Sequence, residues 1–161
     1  MSIKVVEINK KLDDLSKFFI RETLQIGEDN VRVVLSKLIE LKGILGNIDN
    51  DIHFLASFMA NSFLKEEHGI EIDLDKPEGQ SGLDIEVEDI AGEIKTTIPY
   101  HDKDFGANQK THILKDLERL ELSSANYKYF FVIDSRTEKI LKQKYSKKYP
   151  SVRIINLLTE N

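Results

Sequence analysis

The chain has 161 residues, with 23 Lys and Arg against 28 Asp and Glu, and its formal net charge is −5. Hydrophobic residues make up 40% and charged residues 32%, which is typical of a folded domain and excludes wholesale disorder. The sequence has no Cys, which excludes disulfides, thiolate metal sites and a thiol nucleophile. No apolar stretch approaches the ~20 residues that span a bilayer, and the start of the chain is too charged for a signal peptide. We therefore expect a cytoplasmic protein that does not enter a membrane.

Three helices are predicted in the first part of the chain. Apolar residues recur at helical spacing over 12–24 and 31–45, and the polar residues 27–30 separate these two helices. A third helix, capped by side-chain oxygens at its start, is predicted over 47–67. It is apolar on most sides, so we expect it to lie buried against a sheet with the earlier helices over it.

From Gly69 the hydrophobic period changes to that of strands, and turn residues separate the segments. The predicted elements are strands 70–74, 83–87 and 90–98, helix 106–122, strand 127–134, helix 137–149 and strand 152–158. The sequence therefore predicts a single α/β domain over 1–161, in which a helical extension (1–48) precedes a core (49–161).

Acidic residues on two neighbouring predicted strands carry the strongest indication of function. If 83–87 and 90–98 form a tight hairpin, Asp84 lies opposite Glu93, and Lys95 shares their face because side chains alternate along a strand. Two carboxylates this close repel, and one takes up a proton unless a cation lies between them. Oxygen ligands favour Mg²⁺, which is bound by one or two carboxylates and keeps water or substrate phosphate in its other positions.

An ordinary acidic surface is the alternative interpretation of these residues. Glu86 and Glu88 continue the acidic row from Asp84, as on many solvated strand faces. Glu93 and Lys95 could then be a surface ion pair that contributes little to stability. The spacing alone leaves both interpretations open.

The segments Leu83-Asp84 and Glu93-Ile94-Lys95, with a helix before them and a helix and strand after them, resemble the PD-(D/E)xK nuclease superfamily. This superfamily includes restriction endonucleases, Holliday-junction resolvases and RecB-like nucleases. The likeness covers roughly residues 50–135. It implies a restriction-endonuclease-like αβββαβ core with a mixed central sheet, to which the N-terminal helices are an addition.

The resemblance also implies roles for these residues. Asp84 and Glu93 would bind Mg²⁺, or Mn²⁺ as a substitute, together with the carbonyl of Ile94. Lys95 would orient or help to deprotonate the attacking water and stabilise charge in the transition state. The chain departs from the motif at Leu83, where the motif name has Pro.

Many members of the superfamily carry an additional Glu early in the helix before the first strand. Here the corresponding positions hold Asp51 and His53, while Glu66 and Glu67 come at the helix end. We assign none of them to that role, and His53 is interpreted as a helix-surface or core residue.

Two further segments suggest contacts with nucleic acid. Gln109, His112, Asp116 and Arg119 form a polar strip on the helix after Lys95, on a face separate from its apolar residues. We predict that Gln109 and His112 contact DNA, with a solvated helix face as the alternative. Basic residues concentrate near the chain end at Arg136, Lys139, Lys142, Lys144, Lys147, Lys148 and Arg153, which is typical of phosphate contacts but also of ordinary surfaces.

The predicted function is a Mg²⁺-dependent endonuclease that hydrolyses double-stranded DNA, most closely a type II restriction endonuclease or its cleavage subunit. Because cutting a duplex requires two active sites, the N-terminal helices are expected to form a homodimer interface or to bind a second subunit. The alternatives are a structure-selective repair or junction nuclease and a catalytically silent subunit that binds DNA or a partner. A glycosidase is set aside because the chain has no Trp and only 8% aromatic residues.

Overall fold

The computed structural model of the chain describes residues 3–21, 31–72 and 82–159. Its elements are α1 (Ile3–Arg21), α2 (Val31–Leu45), α3 (Ile48–His68), β1 (Ile85–Val87), β2 (Ile90–Lys95), α4 (Ala107–Leu122), β3 (Tyr127–Val132), α5 (Ser135–Lys144) and β4 (Val152–Asn156). The chain divides into two compact units, Met1–Asp51 and Ile52–Asn161. Within the described ranges, no helix is both long and apolar enough to cross a membrane.

In the first unit, α1 and α2 bury Phe18 and Val34, while the first turn of α3 contributes Asp51. The Asp51 carboxylate is only 6% exposed and binds two lysines of α1, Lys4 at 2.8 Å and Lys11. A buried charge is tolerated when it is paired in this way. Two cations therefore hold one buried anion at the start of α3.

The second unit is an α/β structure with a four-stranded mixed sheet in the order β1-β2-β3-β4. β1 and β2 are antiparallel, whereas β2, β3 and β4 run parallel to one another. Each parallel pair requires a crossover, which α4 provides between β2 and β3 and α5 between β3 and β4. The predicted α/β class and mixed sheet are confirmed.

Alternate residues of the strands face two different apolar layers. On one face, Ala56, Ala60 and Leu64 of α3 pack against strand residues that include Ile94 and Phe131. On the other face, α4 and α5 cover a second cluster of core residues. β2 therefore presents Ile90, Gly92 and Ile94 to α3, and Ala91, Glu93 and Lys95 to the α4 side.

Within the second unit, α3 contacts the sheet through one stripe. Its small residues Ala56 and Ala60 let the helix approach the strands closely. Leu55 and Phe58 are outside this apolar cluster, and their burial under the earlier helices stays a prediction.

Two predicted strands are shorter than the sequence indicated, because their backbone groups bind side chains instead. The prediction of a strand over 70–74 is wrong for 70–72, where the Ile72 amide donates to the Asn61 side chain at 2.8 Å. β2 ends at Lys95 rather than at 98, and the carbonyls of Thr97 and Ile98 accept from the side chains of α5 and α4.

The other strands and the last helix also end early, the strands at 132 and 156 and the helix at 144, before a turn over 145–148. The first helix begins at Ile3, well before the predicted 12. The predicted features at 22–30 and 73–81 lie outside the described residues.

Candidate active site

The β1–β2 hairpin sets the geometry of the site. Its register pairs Ile85 with Gly92 and Val87 with Ile90, as the sequence predicted. The two-residue turn places Glu88 at φ 47°, the left-handed conformation that such turns require. β1 begins at Ile85 rather than at the predicted 83, so Asp84 lies in a bend just before the strand and reaches β2 through a hydrogen bond from the Ile94 amide.

The hairpin is anchored at its turn and closely packed between its strands. At the turn, the Asn126 side chain and the Tyr127 amide donate to Asp89, which ties the hairpin to the start of β3. Within β2, Gly92 lies close to β1, because an added Cβ would lie 3.0 Å from Cδ1 of Ile85 and the Ile85 side chain would have to shift. The two strands therefore approach closely beside the acidic pair.

Asp84 lies at the open end of the hairpin. Its Oδ2 accepts a hydrogen bond from the Ile94 amide at 2.8 Å, and Nε2 of His53 on α3 lies 3.8 Å from the same oxygen. Partial burial acts to raise the pKa of Asp84, but the His53 imidazole and the Ile94 amide favour the charged form and lower it to about 2. His53, which the sequence gave no role, therefore lies beside Asp84.

Glu93 is 1% exposed, and its carboxylate accepts from the Arg119 guanidinium of α4. Burial, followed by the negative charges of Asp84 and Asp116, raises the pKa of Glu93 to about 8, against the opposing effects of Arg119 and Lys95. The two predicted carboxyl groups thus differ: Asp84 is ionised at neutral pH, while Glu93 tends to keep a proton. This is the behaviour expected of two close carboxylates with too little positive charge around them.

Lys95 and Glu93 are connected through α4. Nζ of Lys95 lies 2.6 Å from Oδ2 of Asp116, and the other oxygen of Asp116 accepts from Nη2 of Arg119 at 3.0 Å. Arg119 completes the network by binding Glu93. The sequence placed Asp116 and Arg119 on the polar strip of this helix but did not assign them to the acidic site, which they join.

The charges of this cluster determine which cation would fit there. Three carboxylates, those of Asp84, Glu93 and Asp116, meet two fixed cations, Lys95 and Arg119, which leaves one uncompensated negative charge when all three are ionised. The part of the chain that the structure describes has no group of three His, Cys, Asp or Glu side chains arranged to hold a metal ion. Zn²⁺ requires three or four such ligands, whereas Mg²⁺ is bound through one or two carboxylates and keeps its waters. Asp84 and Glu93 offer carboxylate oxygens, which are the donor type that Mg²⁺ and Mn²⁺ prefer.

Gln109 is occupied by local backbone groups. Its Oε1 accepts from the Gly106 amide at 3.1 Å, and its Nε2 donates to the Ile98 carbonyl at 2.8 Å. These bonds fix the loop between β2 and α4 at the first turn of the helix. His112 is exposed one turn later. The structure therefore does not bring either residue into the Asp84–Glu93–Lys95 cluster, and their contact with DNA stays a prediction.

The basic residues near the chain end are largely paired with acids. The pairs are Arg136–Asp102, Lys142–Glu138, Lys144–Asp104, Lys148–Glu118 and Arg153–Glu67. Lys139 and Lys147 are exposed and have no ion pair among the described residues. Among the predicted basic residues, these two lysines can bind a phosphate without first breaking an ion pair with a carboxylate.

Comparison of the chain with protein-family models, with curated proteins and with solved structures found no match. The chemistry of the site is therefore inferred from its own residues. These are two facing carboxyl groups, a lysine on the same face of β2, and a helix that adds one acid and one arginine.

Proposed function

We propose that this protein is a Mg²⁺-dependent DNA endonuclease with a restriction-endonuclease-like core, and that it acts as a type II restriction endonuclease or as its cleavage subunit. The observation that supports this most strongly is that Asp84 accepts from the Ile94 amide of β2, directly beside Glu93, while Lys95 lies on the face of β2 that carries Glu93. The proposed core has three strands before its helix, and the described residues supply β1 and β2 of these.

In this proposal each residue of the site has a separate role. Asp84, Glu93 and the carbonyl of Ile94 would hold the divalent ion, which when bound would supply charge neutralisation of the phosphodiester and a more acidic water. Lys95, held at 2.6 Å by Asp116, stabilises the negative charge that develops on the phosphate oxygens. The buried Glu93 is kept from bulk water, which strengthens its interaction with any cation beside it.

Double-stranded DNA is the proposed substrate, and a homodimer or a complex with a second subunit is the proposed assembly. Exposed apolar side chains on α1 and α2 support an interface in the first unit, since contiguous apolar surface is typical of contact sites. The largest are Ile3, Val6, Leu12, Phe19, Ile20, Val33, Leu35, Leu38 and Ile39. Lys139 and Lys147 are the proposed phosphate contacts.

The test is incubation of the purified chain with plasmid and phage DNA in Mg²⁺, in Mn²⁺ and in EDTA. We expect discrete fragments with either metal and no cleavage in EDTA. Discrete bands indicate a restriction enzyme, whereas a smear or a preference for branched DNA indicates a structure-selective nuclease. Activity that persists in EDTA would contradict the mechanism.

A matched pair of lysine variants separates a true activity from a contaminating nuclease. Lys95→Ala is expected to remove cleavage, while Lys10→Ala, at an exposed position of α1, retains it. Ca²⁺ should support DNA binding with little cutting, because its looser coordination positions the attacking water poorly. Cleavage by Lys95→Ala at the wild-type rate would assign the activity to another protein.

A further inference from the structure

Arg119 is bound in an incomplete way for a buried guanidinium. One nitrogen, Nη2, donates to both Glu93 and Asp116, while Nε is buried and has no hydrogen-bond partner among the described residues. The side chain as a whole is 37% exposed, although its Nε is buried. Nη2 of Arg119 therefore donates to two acceptors, while the Nε–H group donates to none of the described residues.

A guanidinium is best satisfied when its fork of donors meets two oxygens of one acceptor, as in a carboxylate or a phosphate. An unpaired buried N–H is costly, so the observed arrangement is poorer than a two-point contact. Arg119 also lies against Glu93, on which the divalent ion of the proposed function would have to bind. A cation bound there and the guanidinium would compete for the same carboxylate and repel each other.

We propose that Arg119 is a mobile catalytic residue that binds Glu93 while the site is free of metal, and that it leaves Glu93 when a divalent ion occupies the site, so that Nε and Nη2 donate together to the substrate phosphate. This inference rests on the proposed nuclease function. Asp116 keeps the guanidinium within reach in both positions, because its two oxygens bind Lys95 and Arg119 separately.

Hydrogen exchange at the Arg119 Nε–H group tests the displacement without any turnover. The protein is labelled with ¹⁵N-arginine, and the Nε–H signal of Arg119 is assigned by its absence in Arg119→Lys. Ca²⁺ is titrated in place of Mg²⁺, and calorimetry on the same samples gives the binding of the ion. We expect slow exchange in the metal-free protein, where this nitrogen is buried, and exchange at least about tenfold faster once Ca²⁺ is bound. Addition of a mixed-sequence DNA duplex should slow the exchange again and shift the proton downfield.

The outcomes separate this inference from the function on which it rests. Calorimetric binding with unchanged exchange at Arg119 would overturn the displacement and leave the metal site intact. No binding of Ca²⁺ or Mg²⁺ would overturn both.

A kinetic comparison supplies the second measurement. Arg119→Gln should lower the single-turnover cleavage rate by about 10²-fold with Mg²⁺, while DNA affinity in Ca²⁺ changes less than about threefold. Arg32→Gln, at an exposed position of α2, is the control. Cleavage by Arg119→Gln at the wild-type rate would contradict a contact with the phosphate.

Discussion

Asp51 and Glu93 are both buried carboxylates, and their surroundings give them opposite properties. Asp51, in the first unit, is bound by Lys4 and Lys11, and although burial acts to raise its pKa, these lysines hold the pKa below its usual range. Glu93, in the second unit, has Arg119 beside it, but burial and the charges of two neighbouring acids raise its pKa to about 8. Burial alone therefore does not decide the charge of a carboxyl group.

The difference teaches how a structural acid can be told from a functional one. Asp51 has two cations of its own and gains nothing from a further ligand. Glu93 shares its cation with Asp116 and lies near Asp84, so its ionised form is disfavoured in the folded protein. Groups with strongly perturbed pKa values in such clusters are candidates for chemistry.

The largest expected effect is on catalysis. Glu93→Gln should reduce the single-turnover rate of DNA cleavage roughly 10³-fold, because it removes a ligand of the proposed ion, whereas Asp51→Asn should keep near wild-type activity. The measurement is plasmid cleavage in Mg²⁺ with enzyme in excess, after circular dichroism has shown that both variants fold. Equal losses in the two variants would remove the distinction between these acids.

The second prediction concerns the contribution of Asp51 to stability. Asp51→Asn should lower the free energy of unfolding by about 2 kcal/mol, because two lysines lose a charged hydrogen-bond acceptor in a buried position. Urea unfolding measures the change. Asp49→Asn, in the same turn of α3 but exposed, is the control and should shift stability by less than about 0.5 kcal/mol. If the two variants were equally stable, Asp51 would be an ordinary surface acid.

The third prediction concerns the pH dependence of stability in metal-free buffer. The pKa of Glu93 rises from 4.5 to about 8 on folding, so the folded state binds the extra proton and its stability falls as pH rises between these values. This one group can contribute a slope of up to about 1.4 kcal/mol per pH unit. For Asp51 the sign is opposite, because a lowered pKa gives stability that is lost as pH falls below 3.8.

Urea unfolding at pH 5, 6.5 and 8 in EDTA checks the difference between the two acids. Glu93→Gln should flatten the decline between pH 5 and pH 8, and Asp51→Asn should leave it in place. A wild-type stability that does not change over this range would show that Glu93 is ionised without a metal.

The smallest expected effect concerns the stability contributed by two polar residues of α4. Gln109 is hydrogen-bonded to the backbone around it, whereas His112 is exposed. Gln109→Ala should cost about 1 kcal/mol of stability, because the Gly106 amide and the Ile98 carbonyl lose their partner. His112→Ala should change stability by less than about 0.5 kcal/mol. Thermal unfolding measures both, and a larger cost for His112 would reverse their assigned roles.

The sequence predicted those features of the site that depend on neighbouring residues. The hairpin register follows from a short turn between alternating segments, so the pairing of Ile85 with Gly92 and of Val87 with Ile90 could be worked out by counting. The bend at Asp84 could not. The end of β2 could not, because the carbonyls of Thr97 and Ile98 bind Thr137 and Gln109, which come later in the chain. A strand ends where its backbone groups hydrogen-bond to side chains instead of to a neighbouring strand, whatever the strand propensity of the residues.

The remaining members of the site depend on how distant elements pack. Asp116 and Arg119 reach β2 only because α4 crosses back over the sheet between two parallel strands. His53 approaches Asp84 from α3, and no local pattern links two residues so far apart in sequence. The polar strip on α4 was visible as a pattern, but which of its residues would turn toward the acids depended on the position of the helix.

The two-residue turn of the hairpin makes the site sensitive to length. One inserted residue would shift the pairing of β1 with β2 by one position and turn the side chains of β1 to the opposite face of the hairpin. Asp89 is held by Asn126 and Tyr127, so the turn cannot absorb an insertion by slipping outward. Single-residue insertions and deletions between Asp84 and Glu93 are therefore the class of genetic change that this protein would tolerate least, even at positions exposed to solvent.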